Sequence, residues 1–240
     1  MQQTILVIDD EAPTLTMFRL FLGAYGYRVL TAEDGMTGLE LLEAEKPAIV
    51  FTDLKMPVMD GFDVIKAIKK RAPQTEVVVI TGHGDMDLVL QALNLEATDF
   101  INKPIDRQAL ESALERAKRR LADDQAGREQ IALRLSPEAA VIAIKGKLLG
   151  TPQSPLKHLA RQAIASNPKG VVISFDPCLA VTGTGITALT RVLDDLRQAS
   201  LKVALSGLSM NLKTVFEMLG VTRYVTLHEN EKEAVASVTG

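Results

Sequence analysis

The sequence predicts an α/β protein with two domains: a doubly wound parallel sheet of five strands, followed by a mixed sheet with helices. Over the first half, short apolar runs alternate with segments of helical periodicity, as in a parallel sheet covered by helices on both faces. The pattern then starts again with two adjacent strands, which the first half lacks. A length of 240 residues leaves room for two such domains.

Five apolar runs of the first half are predicted to be its strands. Each of them ends at or near a polar residue, and helical spacing appears between them, as for Leu15, Phe18 and Leu22. The predicted strands are residues 4–9, 27–31, 49–53, 77–81 and 98–101.

An amphipathic helix and a linker are predicted to end the first domain. Leu110 and Leu114 lie four residues apart on one apolar stripe, which suits packing against the sheet. The charged, glycine-containing segment RRLADDQAGRE follows. The predicted limits are residues 1–120 for the first domain, 121–128 for the linker and 129–240 for the second domain.

The second domain is predicted to open with an antiparallel hairpin. The segment IALRLSPEAAVIAIKG has the pattern of two strands joined by a Ser-Pro-Glu turn. Helices and strands then alternate to the end of the chain. We predict helices near residues 156–166, 185–199 and 212–219 and a last short one, with strands at VVISF, KVALSG and YVTL.

Composition and charge exclude several classes of protein. With 47% hydrophobic and 24% charged residues, the chain is neither disordered nor collagen-like. Residues 1–128 carry 21 acidic and 15 basic side chains, and the remainder carries 9 and 12, so the second half has a net charge of only +3. No dense Lys/Arg stripe is present, and no nucleic-acid partner is therefore expected.

The single cysteine, Cys178, excludes an internal disulfide and any multi-cysteine metal site. No apolar stretch approaches the ~18 to 20 residues that cross a bilayer. We therefore predict a cytoplasmic protein without a membrane partner.

Acidic residues end two of the predicted parallel strands, at the sheet edge where such sheets bind ligands. The first strand ends in Asp9 and Asp10, and the third ends in Asp53. Three converging carboxylates would raise one another's pKa values without a cation, so the cluster indicates a hard-cation site. Mg²⁺ suits it, because this ion prefers oxygen ligands and keeps waters while sharing a phosphate.

The same edge offers groups for phosphoryl transfer. Asp53 is the predicted nucleophile, which would form an aspartyl phosphate. Thr81 ends the fourth strand and Lys103 follows the fifth, and the two side chains could stabilise two phosphoryl oxygens. Taken singly, each of these residues has a structural alternative, since acids and threonines often cap helices and Lys-Pro can mark a loop.

The order Asp-Asp, Asp, Thr, Lys-Pro and the loop LKMPVMDG resemble the receiver domain of two-component response regulators, over residues 1–120. The resemblance implies a flavodoxin-like fold and phosphorylation of Asp53 by a sensor histidine kinase. It also implies Mg²⁺ bound by Asp10, Asp53 and the backbone carbonyl of Lys55, with Asp9 acting through water.

The resemblance further implies a switch. Phe100, three residues before Lys103, occupies the place of the family's switch aromatic. In the family, the residues at the positions of Thr81 and Phe100 then move inward together and remodel the face formed by the fourth helix, fifth strand and fifth helix. The same face is the candidate surface for a homodimer. A cis peptide bond between Lys103 and Pro104 is implied as well.

The second half resembles the STAS domain, the fold of anti-sigma factor antagonists, over residues 129–240. The hairpin, VVISF, VTGTGITAL and KVALSGLSMNLKTVFEMLGV carry this resemblance. The tetrad from Thr182 to Gly185 aligns with the family's Asp-Ser-Ser-Gly, which puts Thr184 at the phosphoacceptor position and replaces the family's Asp by Thr182. The alternative is that Thr182 or Thr184 only caps a helix.

These features predict a response regulator in which phosphorylation gates protein binding by a STAS-like output domain, with an anti-sigma factor or switch kinase as its target. The second half shows no phosphate loop, metal-spaced histidines or paired nucleophile and base, so the chain is not expected to be an enzyme beyond the receiver's own phosphorylation and dephosphorylation. Two alternatives stay open. One is a DNA-binding transcriptional regulator, and the other is a phosphate sink with an assembly domain.

Overall fold

The computed structural model describes residues 3–82, 85–122 and 129–240. The contacts between Cα atoms divide the chain into two compact units, Met1–Leu121 and Ala122–Gly240. Most of the predicted linker, residues 123–128, lies outside the described residues.

The first unit is a five-stranded parallel sheet with the strand order β2-β1-β3-β4-β5, which confirms the predicted doubly wound fold. Five helices alternate with the strands. The elements are β1 (Thr4–Ile8), α1 (Ala12–Ala24), β2 (Arg28–Ala32), α2 (Gly35–Glu45), β3 (Ile49–Asp53), α3 (Gly61–Arg71), β4 (Glu76–Thr81), α4 (Met86–Asn94), β5 (Asp99–Asn102) and α5 (Arg107–Ala122).

Both faces of this sheet are covered by helices. On one face, α1 and α5 pack on apolar strand residues, and the rings of Phe18 and Phe51 lie 5.1 Å apart between centroids. On the other face, Gly38 of α2 lies directly against Ile8. Because all five strands run in one direction, the carboxyl ends of β1, β3, β4 and β5 meet at a single edge.

The second unit is a mixed sheet with the order β11-β10-β8-β7-β6, in which only β6 and β7 are antiparallel. The predicted opening hairpin is therefore present. A short strand pairs with β7 off this path and was not predicted. The elements are β6 (Glu129–Leu135), β7 (Ala139–Leu148), α6 (Leu156–Ala165), β8 (Gly170–Phe175), β9 (Ala180–Val181), α7 (Gly183–Gln198), β10 (Lys202–Ser206), α8 (Met210–Met218), a 3₁₀ turn (Val221–Tyr224), β11 (Thr226–His228) and α9 (Glu231–Thr239).

The last helix closes one face of the second sheet. Ala234 and Val238 of α9 pack on Ala139, Val172 and Ala204, which lie on three neighbouring strands. Within the described parts of the chain, no helix combines the length and the apolar character needed to cross a membrane.

Candidate functional site

The loop after β1 and the end of β3 bring three carboxylates together. Asp9, Asp10 and Asp53 each offer an oxygen, and these oxygens all lie within 4.8 Å of one another. Asp9 and Asp53 are buried, whereas Asp10 is exposed. The cluster therefore has a buried floor and an open side from which a ligand could approach.

Asp9 gives the clearest indication of what this cluster fits. Its side chain has no exposed surface, and Oδ1 accepts a hydrogen bond from the backbone N–H of Glu11 at 2.9 Å. Oδ2 forms an ion pair with Lys103 Nζ at 3.2 Å, and within the described residues it accepts no hydrogen bond. Burial raises the pKa of Asp9. A buried carboxylate oxygen that accepts no hydrogen bond, beside two further acids, suits a hard cation such as Mg²⁺.

Lys103, which follows β5, forms ion pairs with the same cluster. Its Nζ lies 2.5 Å from Asp53 Oδ2 and 2.7 Å from Glu11 Oε2. Burial alone would lower the pKa of Lys103, but the hydrogen bonds that its ammonium group donates to Asp53 and Glu11 outweigh burial and raise the pKa. The side chain therefore carries its positive charge at the nucleophile predicted from the sequence.

Glu11 belongs to this site and is absent from the sequence prediction. Its hydrogen bond from Lys103 lowers the pKa of the Glu11 carboxyl, which is therefore ionised at neutral pH. The only signal in the sequence is its position directly after the Asp9–Asp10 pair. That position alone does not distinguish an ion-pair partner of Lys103 from an ordinary helix-capping acid.

The loop after β3 fixes the Asp53 side chain. Asp53 Oδ1 accepts a hydrogen bond from the backbone N–H of Lys55 at 3.0 Å. The Lys55 side chain turns away and pairs with Asp85 at 2.8 Å. Gly61 closes the loop, because its N–H donates to Leu54 O and a Cβ at this position would lie 2.2 Å from Asp53 O.

The two predicted switch residues are both buried. Thr81 is 1% exposed, and among the described residues its hydroxyl has no hydrogen-bond partner. Phe100 is 3% exposed on the neighbouring strand β5. The peptide bond between Lys103 and Pro104 is cis, as the resemblance to receiver domains implies.

The start of α7 distinguishes the two candidate threonines, Thr182 and Thr184. Thr182 is the N-cap, and its Oγ1 accepts a hydrogen bond from Gly185 N–H at 3.1 Å. Thr184 lies within the first turn and is exposed, and its hydroxyl donates to Leu149 O at 2.6 Å. Thr182 therefore fills the capping role, which leaves Thr184 without that structural explanation.

Two family models match the chain. One, for the response regulator receiver domain, matches residues 5–115, and the other, for the STAS domain, matches residues 100–234. Both cover residues 100–115, which lie within β5, α5 and the loop between them in the first unit.

Relatives cover different shares of the chain. The transcriptional regulatory protein GlrR of Escherichia coli is 35% identical over 147 residues, which are 58% of this chain and 33% of that protein. The response regulator protein PilR of Pseudomonas aeruginosa is 30% identical over 197 residues, which are 81% of this chain and 40% of PilR. The transcriptional regulatory protein FixJ of Bradyrhizobium diazoefficiens is 30% identical over 139 residues, which are 58% of this chain and 67% of FixJ. The chain thus spans about a third of the length of GlrR.

Among solved structures, a response regulator receiver domain protein from Clostridium thermocellum matches with a TM-score of 0.47 and 37% identity. The match covers 49% of this chain and 95% of that one.

Proposed function

Because this chain belongs to the response regulators and joins a receiver domain to a STAS domain, we propose that phosphorylation of Asp53 gates protein binding by the STAS domain. A sensor histidine kinase is the proposed phosphoryl donor. The observation that carries the proposal is the Asp53 carboxylate, which lies between two further acids and the Lys103 ammonium group.

The proposed transfer forms a bond between a carboxylate oxygen of Asp53 and phosphorus. The P–N bond of the kinase's phosphohistidine breaks, and the leaving imidazole nitrogen takes up a proton. Lys103 Nζ, 2.5 Å from Asp53 Oδ2, is close enough to neutralise a phosphoryl oxygen once the phosphate is attached. The Lys55 N–H holds the other carboxylate oxygen in place during the attack.

The residues that would hold Mg²⁺ are Asp10, Asp53 and the backbone carbonyl of Lys55, with Asp9 acting through water. A bound Mg²⁺ would lower the repulsion between these acids and the incoming phosphate. The buried Oδ2 of Asp9, which forms an ion pair with Lys103 but accepts no hydrogen bond among the described residues, supports this assignment.

Thr81 and Phe100 are the proposed switch. The Thr81 hydroxyl is buried at the end of β4 and lacks a hydrogen-bond partner among the described residues, so a phosphoryl oxygen would supply the acceptor that it needs. Movement of Thr81 would act on Phe100 of the adjacent strand, because Ile80 and Thr81 pair with Ile101 and Asn102.

For the output, we propose that the STAS domain binds an anti-sigma factor or a switch kinase and that Thr184 is a second phosphosite. Thr184 is exposed at the first turn of α7, where backbone N–H groups and the helix dipole favour an added phosphate.

The phosphorylation step is tested with a small phosphodonor such as acetyl phosphate. Labelling is expected to need Mg²⁺ and to disappear in the Asp53→Asn variant. The control is Asp60→Asn, at the residue that caps α3 in the same region, and this variant should still be labelled. Phos-tag gels or intact mass spectrometry measure the result. Labelling of Asp53→Asn at the rate of the unmodified chain would remove Asp53 as the acceptor.

The output is tested by measuring protein capture with and without beryllofluoride, using Asp53→Asn as the control. Thr184→Asp is expected to change the set of captured proteins. Thr187→Asp, about one turn further along α7 and also exposed, should leave that set unchanged. If instead DNA binding appears, falls steeply with salt and tightens on phosphorylation, the chain is a DNA-binding regulator. If protein capture changes neither with beryllofluoride nor in the Asp53→Asn variant, the gating proposal fails.

A further inference from the structure

A cavity in the second unit lies apart from the sites described above. It has a volume of about 200 Å³ and lies between α7, the start of β10 and the segment that joins α8 to β11. This volume is below the roughly 300 to 1,000 Å³ of pockets that hold drug-sized ligands. The cavity therefore suits a smaller molecule.

One stripe of α7 forms its longest wall. Thr190, Leu193 and Arg197 are spaced three and four residues apart, so their side chains follow one another on a single face of the helix. Leu193 is 8% exposed, and it lines the cavity together with Val203 and Val221, each of which is 7% exposed. These three side chains offer no hydrogen-bonding group, so the part of a ligand that enters deepest should be apolar.

A cation stands at the mouth of the cavity. The Arg197 guanidinium lies over the ring of Tyr224, with Cζ 4.6 Å from the ring centroid, and its side chain is about half exposed. Asp194, which also lines the cavity, forms an ion pair with Arg197 at 3.8 Å, a distance longer than a hydrogen bond. Among the described residues, no hydrogen bond occupies the planar guanidinium, which matches a carboxylate in geometry and charge.

We propose that this cavity binds a small monocarboxylate with a short branched or single-ring apolar body. The apolar body would lie against Leu193, Val203 and Val221, and the carboxylate would pair with Arg197. Thr184 lies at the other end of the same helix. Such a ligand would therefore be a second signal, besides phosphorylation, that acts on the STAS domain. The proposal does not depend on phosphorylation of Asp53.

The test is a titration of the full chain with isovalerate and benzoate, and with isovaleramide and benzamide as neutral analogues of the same shape. Calorimetry is expected to show saturable binding of at least one carboxylate and at least tenfold weaker binding of its amide. Amide NMR shifts should change at residues 190–197 and 221–225. Equal binding of acid and amide, or no saturable binding of either acid, would overturn the proposal.

Two variants locate the charge that matters. Arg197→Gln keeps the apolar stem and is expected to weaken carboxylate binding at least tenfold. Arg191→Gln, at an exposed position of the same helix outside the cavity lining, should leave the affinity unchanged. Circular dichroism checks that both variants fold. Retained affinity in the folded Arg197→Gln variant would contradict the assignment.

Discussion

Val58 has a backbone conformation that its side chain disfavours. Its φ is +67°, in the left-handed region, and its side chain is fully exposed in the loop that follows Asp53. The N–H of Met59 donates to Pro57 O at 2.8 Å, which closes a three-residue turn around Val58. A β-branched residue gains no packing here to offset the strain of a positive φ.

Replacing Val58 by asparagine should therefore stabilise the protein. Asparagine tolerates the left-handed region, and we expect the free energy of unfolding to rise by about 1 kcal/mol in urea denaturation. Val58→Thr keeps a β-branched side chain of the same shape and should change stability little. Equal stability of the two variants would show that the strain is absent.

A pair of glycine substitutions tests the close approach behind Asp53. In Gly61→Ala, the new methyl group would collide with Asp53 O and Leu54 Cα, so we expect a loss of about 2 to 3 kcal/mol and slower labelling by acetyl phosphate. Gly23→Ala in α1 meets no atom within 4 Å and should stabilise by about 0.5 to 1 kcal/mol. Thermal and urea unfolding measure both, and a Gly61→Ala variant as stable as the unmodified chain would contradict the geometry.

At the level of elements, α5 is joined to the sheet by buried charges as well as by its apolar stripe. Arg120 Nε lies 2.6 Å from Glu76 Oε2 at the start of β4, and Arg116 Nε lies 2.6 Å from Asp99 Oδ2 at the start of β5. Asp99 also accepts a hydrogen bond from the N–H of Phe100. The last turns of α5 are thus connected directly to the strand that carries the proposed switch aromatic.

Removing one partner of this network should be costly. The Arg120 side chain is only 3% exposed and the Glu76 side chain 13%, so Arg120→Met leaves a largely buried carboxylate without its cation, and we expect a loss of about 3 kcal/mol in the free energy of unfolding. Arg119→Met, one residue earlier and exposed, should stay within about 0.5 kcal/mol. Replacing both Arg120 and Glu76 by apolar residues should recover much of the loss, and a harmless Arg120→Met would show that the network is not stabilising.

At the level of the whole molecule, the elements were predictable because their signals are local. Leu110 and Leu114, four residues apart, are both buried in α5, as their spacing predicts. Contacts between distant residues leave no such pattern. The bond from Lys103 to Glu11 spans 92 positions, and no periodicity links the two. Strand β9 has two residues, too few to show an alternation.

The limits of the two domains, 1–120 and 129–240, stay predictions that fragments can test. In the described ranges, the strands of the first sheet precede residue 103 and those of the second follow residue 128, so neither sheet takes a described strand from both halves. Residues 1–122 and 129–240, expressed separately, should each unfold in one cooperative transition followed by circular dichroism. Loss of cooperativity in either fragment would show that its core needs the other half.

The hairpin of β6 and β7 gives the two halves different starting points for folding. Every strand pairing of the first sheet is parallel and must wait for a crossover, whereas β6 and β7 are joined by residues 136–138 alone. Ser136 exchanges hydrogen bonds with Ala139 across this turn. Hairpins close within about 1 to 10 μs, so the second half has a local nucleus on which β8 can add, while the first half must close longer loops before its first strand pair forms.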